Sequence, residues 1–138
     1  MKKYNLVFVY NKSEDKILMC KREKEPFKGK FNLVGGKVNE KEDELIAAYR
    51  ELEEETNISE KYITLTHIMN LQYELSDFEL EVYVGKLSKE VDLKEEINKL
   101  YWIDKNEDFT DTNKFAGYGN LAHIYSYIEL NKNKIFNL

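Results

Sequence analysis

The stretch GKVNEKEDELIAAYRELEEETNI, Gly36 to Ile58, combines a helical hydrophobic pattern with a dense run of glutamates. At about 100° per residue, Leu45, Ala48, Tyr49 and Leu52 fall on one face of a helix running from about Glu42 to Thr56, with Ile46 at the border of that face. Asn57 is suited to the left-handed turn that ends such a helix. On the same wheel Glu51 and Glu55 lie about 40° apart, and Glu54 lies about 60° to the other side of Glu51. Glu53 points elsewhere, toward solvent. Carboxylates grouped in this way repel one another and, near a helix C-terminus, oppose the macrodipole. A bound hard cation, Mg²⁺ or Mn²⁺, removes that repulsion and accepts oxygen ligands. The plainer alternative is a solvated acidic face supported by pairs such as Arg50 with Glu54.

Upstream, Tyr4–Tyr10 reads as a strand, the polar NKSEDK as a turn, and Ile17–Cys20 as its hairpin partner. The basic segment KREKEPFKGK, residues 21–30, holds the only proline and leads to a short strand, Phe31–Val34, that ends at Gly35-Gly36. Downstream, residues 62–73 and 78–87 are strand-like and can pair through a turn at Ser76-Asp77. Leu100–Ile103 is a last short strand, and Asn120–Leu130 has helical spacing in Leu121, Ile124, Tyr125 and Ile128. Strands outnumber helices, so the expected class is α+β, in a single domain over residues 1–138.

Bulk properties narrow the function. A chain of 138 residues with 42% hydrophobic and 34% charged composition has material for one sizeable core. A net charge of −5 disfavours a binder of nucleic-acid polymers, which needs a basic footprint, while a small polyanion can still dock at a local basic patch. Cys20 is the only cysteine, so no intrachain disulfide forms and a reducing compartment fits. The N-terminal apolar run is too short for a signal peptide, and no stretch reaches the roughly 20 residues of a membrane helix. The expectation is a cytoplasmic monomer or homodimer that does not engage membranes.

Gly36, Glu42, Arg50-Glu51-Leu52, Glu54-Glu55 and Ile58 together resemble the Nudix box: glycine, five residues, glutamate, seven residues, then R-E-aliphatic-x-E-E-x-G-aliphatic. The one departure is Asn57 in the glycine position, and asparagine is the residue best able to replace glycine in the left-handed region. The resemblance, to the MutT-like type within that family, implies an α/β/α sandwich around a mixed sheet. It also implies Mg²⁺-dependent hydrolysis of a nucleoside diphosphate linked to another group, with Mn²⁺ as a second suitable ion. Glu51, Glu54 and Glu55 would then hold the cations together with the Gly35 carbonyl, and Glu51 or Glu54 would act as base. Glu96, ranked above its neighbour Glu95, is a further catalytic or metal-binding candidate. Arg50 would orient the glutamates, Glu42 would bond to the box loop, and Gly36 would lie beside the substrate. Lys21 and Arg22 either meet the phosphates or are ordinary strand-end charges.

The segment PFKGKFNLVGGKV resembles the G-x-W-N-x-x-G-G-K stretch of animal oxidised-purine nucleoside triphosphatases, with Phe31 in place of the tryptophan. Asn32 would then read a purine edge, or it bonds the local turn. The adjacent aspartates those enzymes carry before the last helix are absent from DFTDTNKFAGYGN, where Tyr118 either stacks on a base or packs into the core. The ADP-ribose branch typically has a proline well after the box, and Pro26 is this chain's only one. Dinucleoside polyphosphate enzymes typically have a tyrosine in that region, where Tyr73 stands. The resulting expectation is conversion of a nucleoside triphosphate to monophosphate and pyrophosphate, extending to oxidised purine nucleotides. The alternatives are a dinucleoside polyphosphate or nucleotide-sugar pyrophosphohydrolase, or a non-catalytic nucleotide-sensing domain.

Overall fold

The computed structural model describes residues 1–136. Its elements, in chain order, are β1 (Lys2–Tyr10), β2 (Lys16–Lys21), β3 (Phe31–Leu33), α1 (Glu44–Thr56), β4 (Thr66–Tyr73), β5 (Phe78–Lys86), β6 (Lys99–Asp104), α2 (Asn120–Leu130) and α3 (Lys132–Phe136). β1 and β5 run parallel, in register from Lys2↔Phe78 to Tyr10↔Lys86, and the other pairings are antiparallel, so the sheet is mixed. β2 pairs along its whole length with β6, while its other edge is divided between Tyr10 of β1 and the short β3.

Strand alternation separates the core into two layers. Val7, Val9, Leu18 and Tyr83 face α1 through Ala48 and Leu52, whereas Phe8, Tyr10, Ile17, Met19 and Val82 face α2 through Leu121, Ile124 and Ile128. The architecture is therefore an α+β sandwich of helix, mixed sheet and helix, as the sequence implies. Among the described residues no helix is long and apolar enough to cross a membrane.

Three local expectations change. Helix α1 starts at Glu44 rather than Glu42, because Asp43 has extended dihedrals and its carboxylate caps the Ile46 N–H at 3.0 Å. Leu45, expected in the inward stripe, is left 43% exposed. The inward row is Ala47, Ala48, Leu52 and Thr56, since in the first turn Glu44 bonds to Lys3 of β1. Finally, the strand expected from Tyr62 begins only at Thr66. Residues 63–64 cross over Gly85 instead, where an added Cβ would meet the Ile63 side chain at 2.6 Å and the Thr64 carbonyl at 2.8 Å.

After β3 the chain stays on β1 through isolated bridges at Val7↔Val34 and Tyr4↔Lys37. Those bridges fasten Gly35-Gly36 to the sheet directly ahead of α1. The far end of α1 closes as expected: Asn57 is left-handed, at φ 72°, and its N–H reaches the Glu53 carbonyl at 2.8 Å.

Candidate active site

The functional side chains line an open cleft of about 1160 Å³, bounded by the Gly35-Gly36 turn, α1, the loop before β6, the turn after β4 and the start of α2. Its polar wall is built on Arg50. The guanidinium grips Glu42 through two hydrogen bonds, Nε to Oε2 at 2.7 Å and Nη2 to Oε1 at 2.9 Å. Nη1 donates to Glu51 Oε1 at 3.0 Å and to Glu54 Oε2 at 3.1 Å, and Nη2 also reaches the Lys37 carbonyl at 3.2 Å. A planar fork of donors can hold several carboxylates in fixed directions, which an ammonium cannot do. Glu42 completes the frame by accepting the Asn39 N–H at 3.1 Å, which ties the loop to the helix.

Glu55 lies deeper. Burial pushes its carboxyl up to about 7, the negative charge of Glu51 adds to the rise, and the Gly35 N–H, donating to Oε2 at 2.9 Å, pulls the other way. Arg22 and the Asn98 amide oppose the rise as well. A Cβ at Gly36 would sit 2.3 Å from Glu51 Oε2, so a side chain there would push the Glu51 carboxylate out of its place. Gly35 is confined more strictly, because the Asn5 backbone carbonyl lies 2.1 Å from where its Cβ would stand and its φ is 149°.

Glu51, Glu54, Glu55, Gly35, Gly36, Arg22, Asn32, Glu96 and Tyr118 all line this one cleft. Lys21 is not among its lining residues; its ammonium lies 5.9 Å from the centre of the Phe31 ring. Glu53 is exposed, as the helical wheel requires. Glu95 accepts the Leu100 N–H at 2.7 Å and holds the loop that presents Glu96. Asn32 Oδ1 accepts the Leu33 N–H at 2.8 Å, so its oxygen serves the local turn. Tyr118 is 82% exposed, which rules out the core alternative, and its ring meets Phe27 edge-on at 4.9 Å.

Sequence reasoning missed Asn5, Asn98 and Asn120. Asn5 is a buried amide on β1 that accepts the Gly36 N–H. Asn98 accepts the Glu23 N–H at 3.2 Å beside Glu55. Asn120 opens α2 and donates to the Tyr73 hydroxyl. The only signal for Asn5 was a polar residue inside the apolar run YNLVFVY.

The donor chemistry of the wall, carboxylate and carbonyl oxygen throughout, fits a hard divalent ion that keeps some waters and takes further oxygens from a phosphate. Among the described residues, no three His, Cys, Asp or Glu side chains converge into a closed cage. The hydrogen bonds explain this: Glu51 and Glu54 are turned to Arg50, and Glu55 to the Gly35 N–H.

Known proteins share this arrangement of elements. The chain resembles a Caenorhabditis elegans Ap4A hydrolase, with a TM-score of 0.77 and 22% identity over 97% of this chain and 99% of that one. A MutT described from Aliivibrio salmonicida and Vibrio cholerae gives a TM-score of 0.69 and 18% identity over 94% and 98% of the two chains. The NUDIX domain of Shewanella oneidensis NrtR, in complex with ADP ribose, gives 0.71 and 16% over 94% and 87%. No curated protein sequence matches. At these identities the structural likeness speaks for the fold alone, but the NUDIX domain model itself matches residues 4–120, from β1 to the first residue of α2. With the box residues arrayed around Arg50 within those bounds, the chain belongs to the NUDIX domain family.

Proposed function

We propose that this protein is a Mg²⁺-dependent, MutT-like pyrophosphohydrolase that converts a nucleoside triphosphate to monophosphate and pyrophosphate, with Mn²⁺ as the alternative ion. Nudix domains are generally pyrophosphohydrolases that use divalent ions. The observation that carries the reading is Arg50, whose guanidinium, anchored on Glu42, holds Glu51 and Glu54 on the wall of a nucleotide-sized cleft.

Glu51, Glu54 and Glu55 would hold the cation, with the Gly35 carbonyl and Glu96 as further oxygens. Bound there, it supplies charge neutralisation on the diphosphate and a more acidic water. Arg50 engages one oxygen of Glu51 and one of Glu54, leaving each carboxylate a second oxygen for catalysis. One of the two then accepts the proton of the water that attacks phosphorus. Arg22 offers positive charge to the phosphates from the cleft wall. At the other end Tyr118 offers a ring face, and Asn32 and Asn120 offer amides to a base edge, which brings oxidised purine nucleotides within the reading. On this reading it works in the cytoplasm, as a monomer or homodimer, on small nucleotides.

A nucleotide panel incubated with Mg²⁺, with products identified by mass, tests this reading. The expected products are a nucleoside monophosphate and pyrophosphate, with EDTA abolishing turnover and Mg²⁺ restoring it. Cleavage that persists in EDTA, or no cleavage of any member, would sink it, and the second outcome would favour a nucleotide sensor. A dinucleoside polyphosphate belongs in the panel because the cleft carries two ring pairs, Phe27 with Tyr118 and Tyr73 stacked on Phe78 at 4.7 Å, suited to two bases.

A further inference from the structure

Asn5 is only 1% exposed, and a buried amide is costly unless its hydrogen bonds serve a purpose. Its oxygen Oδ1 accepts the Gly36 N–H at 2.9 Å, and its own backbone N–H donates to the Gly36 carbonyl at 2.8 Å. Its carbonyl occupies the space a Gly35 side chain would need, 2.1 Å from the ideal Cβ. Asn5 thus holds the Gly35-Gly36 turn through its side-chain oxygen and its backbone N–H, while its carbonyl packs against Gly35. The other side of the same turn meets the carboxylates: Gly35 N–H on Glu55, and Gly36 against Glu51.

Valine would pair in β1 equally well and carry no polar atom of its own, but it would strip the Gly36 N–H of its acceptor. Asn5 instead keeps a buried Nδ2 without a hydrogen-bond partner. Its in-register neighbour on β5, Glu81, keeps a buried Oε1 in the same condition, with Lys3 Nζ 3.8 Å away. An unpaired buried polar group is destabilising. That cost is offset at the other end of the amide, at Gly36.

We propose that Asn5 is a positioning residue for the cation site: by clamping the Gly35-Gly36 turn it sets where the Gly35 peptide meets Glu55 and how closely Glu51 approaches Gly36. The role is that of positioning: Asn5 borders the cleft, and it reaches the carboxylates through the turn it holds. Its catalytic consequence rests on the pyrophosphohydrolase reading above, whereas its effect on the turn does not.

The test uses Asn5→Val, with Asn5→Ala replacing it if the valine variant does not fold, and Asn5→Asp as the variant that keeps an acceptor oxygen. Amide exchange at Gly35 and Gly36 is measured on metal-free protein, followed by Mn²⁺ affinity and steady-state kinetics. In the variant lacking the acceptor, exchange at Gly36 accelerates and Mn²⁺ affinity falls about 10- to 100-fold, the range seen when a residue supporting metal ligands is lost. At low metal kcat falls in parallel, KM for the nucleotide at saturating Mn²⁺ is unchanged, and Asn5→Asp recovers protection at Gly36. Wild-type exchange at Gly36 together with wild-type Mn²⁺ affinity in the acceptor-less variant overturns the proposal. If the unmutated protein binds no Mn²⁺ and cleaves nothing, it is the pyrophosphohydrolase reading that fails, and exchange at Gly36 alone then decides what Asn5 does.

Discussion

At the α1 end of the cleft the charged groups are tied in place: Arg50 bonds to Glu42, Glu51 and Glu54, and Glu55 takes the Gly35 N–H. At the α2 end Tyr118 stands 82% exposed between two glycines, and Gly117, Tyr118 and Gly119 all have positive φ, at 89°, 54° and 93°. One end fixes charge in direction and distance; the other presents the Tyr118 ring on a loop beside the amides of Asn32 and Asn120. Charge has to be placed before the reaction begins, because electrostatic stabilisation is effective when its dipoles need no rearrangement. Base recognition tolerates a looser frame, since a ring face accepts any planar group. Changes at the first end should therefore act on kcat, and changes at the second on KM.

The strongest way to break this contrast is Glu54→Gln, which keeps size and removes charge. Glu54 is 60% exposed, so the fold does not depend on it, and far-UV circular dichroism and melting temperature should match wild type. Removing a general base or a ligand at this position should lower kcat about 10²- to 10⁴-fold, with little change in KM. Full activity in Glu54→Gln would remove the carboxylate wall from the mechanism.

A pH titration probes the same end without mutation. Burial raises the Glu55 carboxyl to about 7 from an ordinary 4.5. In metal-free protein this group favours the fold below pH 4.5, and that contribution is lost as pH rises through about 7. A cation needs the ionised form, so its affinity changes in the opposite sense and should be about tenfold weaker at pH 6 than at pH 8. Isothermal titration with Mn²⁺ at the two pH values measures this, and equal affinities would separate Glu55 from the cation.

At the α2 end, Tyr118→Ala should raise KM for the nucleotide several-fold and leave kcat near wild type, because base–aromatic stacking is worth about 1–3 kcal/mol. A fall in kcat with KM unchanged would place Tyr118 in the chemistry and dissolve the distinction between the two ends.

The contrast also explains which parts could be read from the chain. The box glutamates sit on one regular helix, where a 3.6-residue period converts spacing directly into direction, so Glu51, Glu54 and Glu55 were legible and Glu53 separable. For Arg50 the spacing supplied only the pair with Glu54, and its orienting role came from the resemblance to the box. Leu45 was misassigned because the wheel does not know that Glu44 turns to Lys3, a partner 41 positions away. The strand start at Thr66 depended on Gly85, a contact between distant parts of the chain. Asn5, Asn98 and Asn120 were silent because each acts through a partner brought close only by folding: Gly36, the neighbourhood of Glu55, and Tyr73. Lys21 and Arg22 are adjacent in sequence, yet Lys21, the last residue of β2, lies over Phe31, while Arg22, just past the strand, lines the cleft.

The smallest expected effect concerns the one departure from the box pattern, Asn57. Its left-handed backbone, at φ 72° and ψ 12°, is the conformation the family's glycine provides. A residue with an ordinary Cβ pays about 1–2 kcal/mol there, and asparagine pays less. Asn57 also donates from Nδ2 to the Asp92 carbonyl at 3.3 Å, which links the end of α1 to the segment before β6. Asn57→Gly eases the backbone but removes that bond and loosens the unfolded chain, so stability in denaturant should stay within about 0.5 kcal/mol of wild type. Asn57→Ala loses the bond and adds strain, and should cost about 1–2 kcal/mol. Neither change reaches the carboxylates that Arg50 holds, so kcat should be unchanged in both. A large loss of kcat in Asn57→Gly would mean that the Asp92 link, and not the turn alone, holds the far end of the box in register with Glu55.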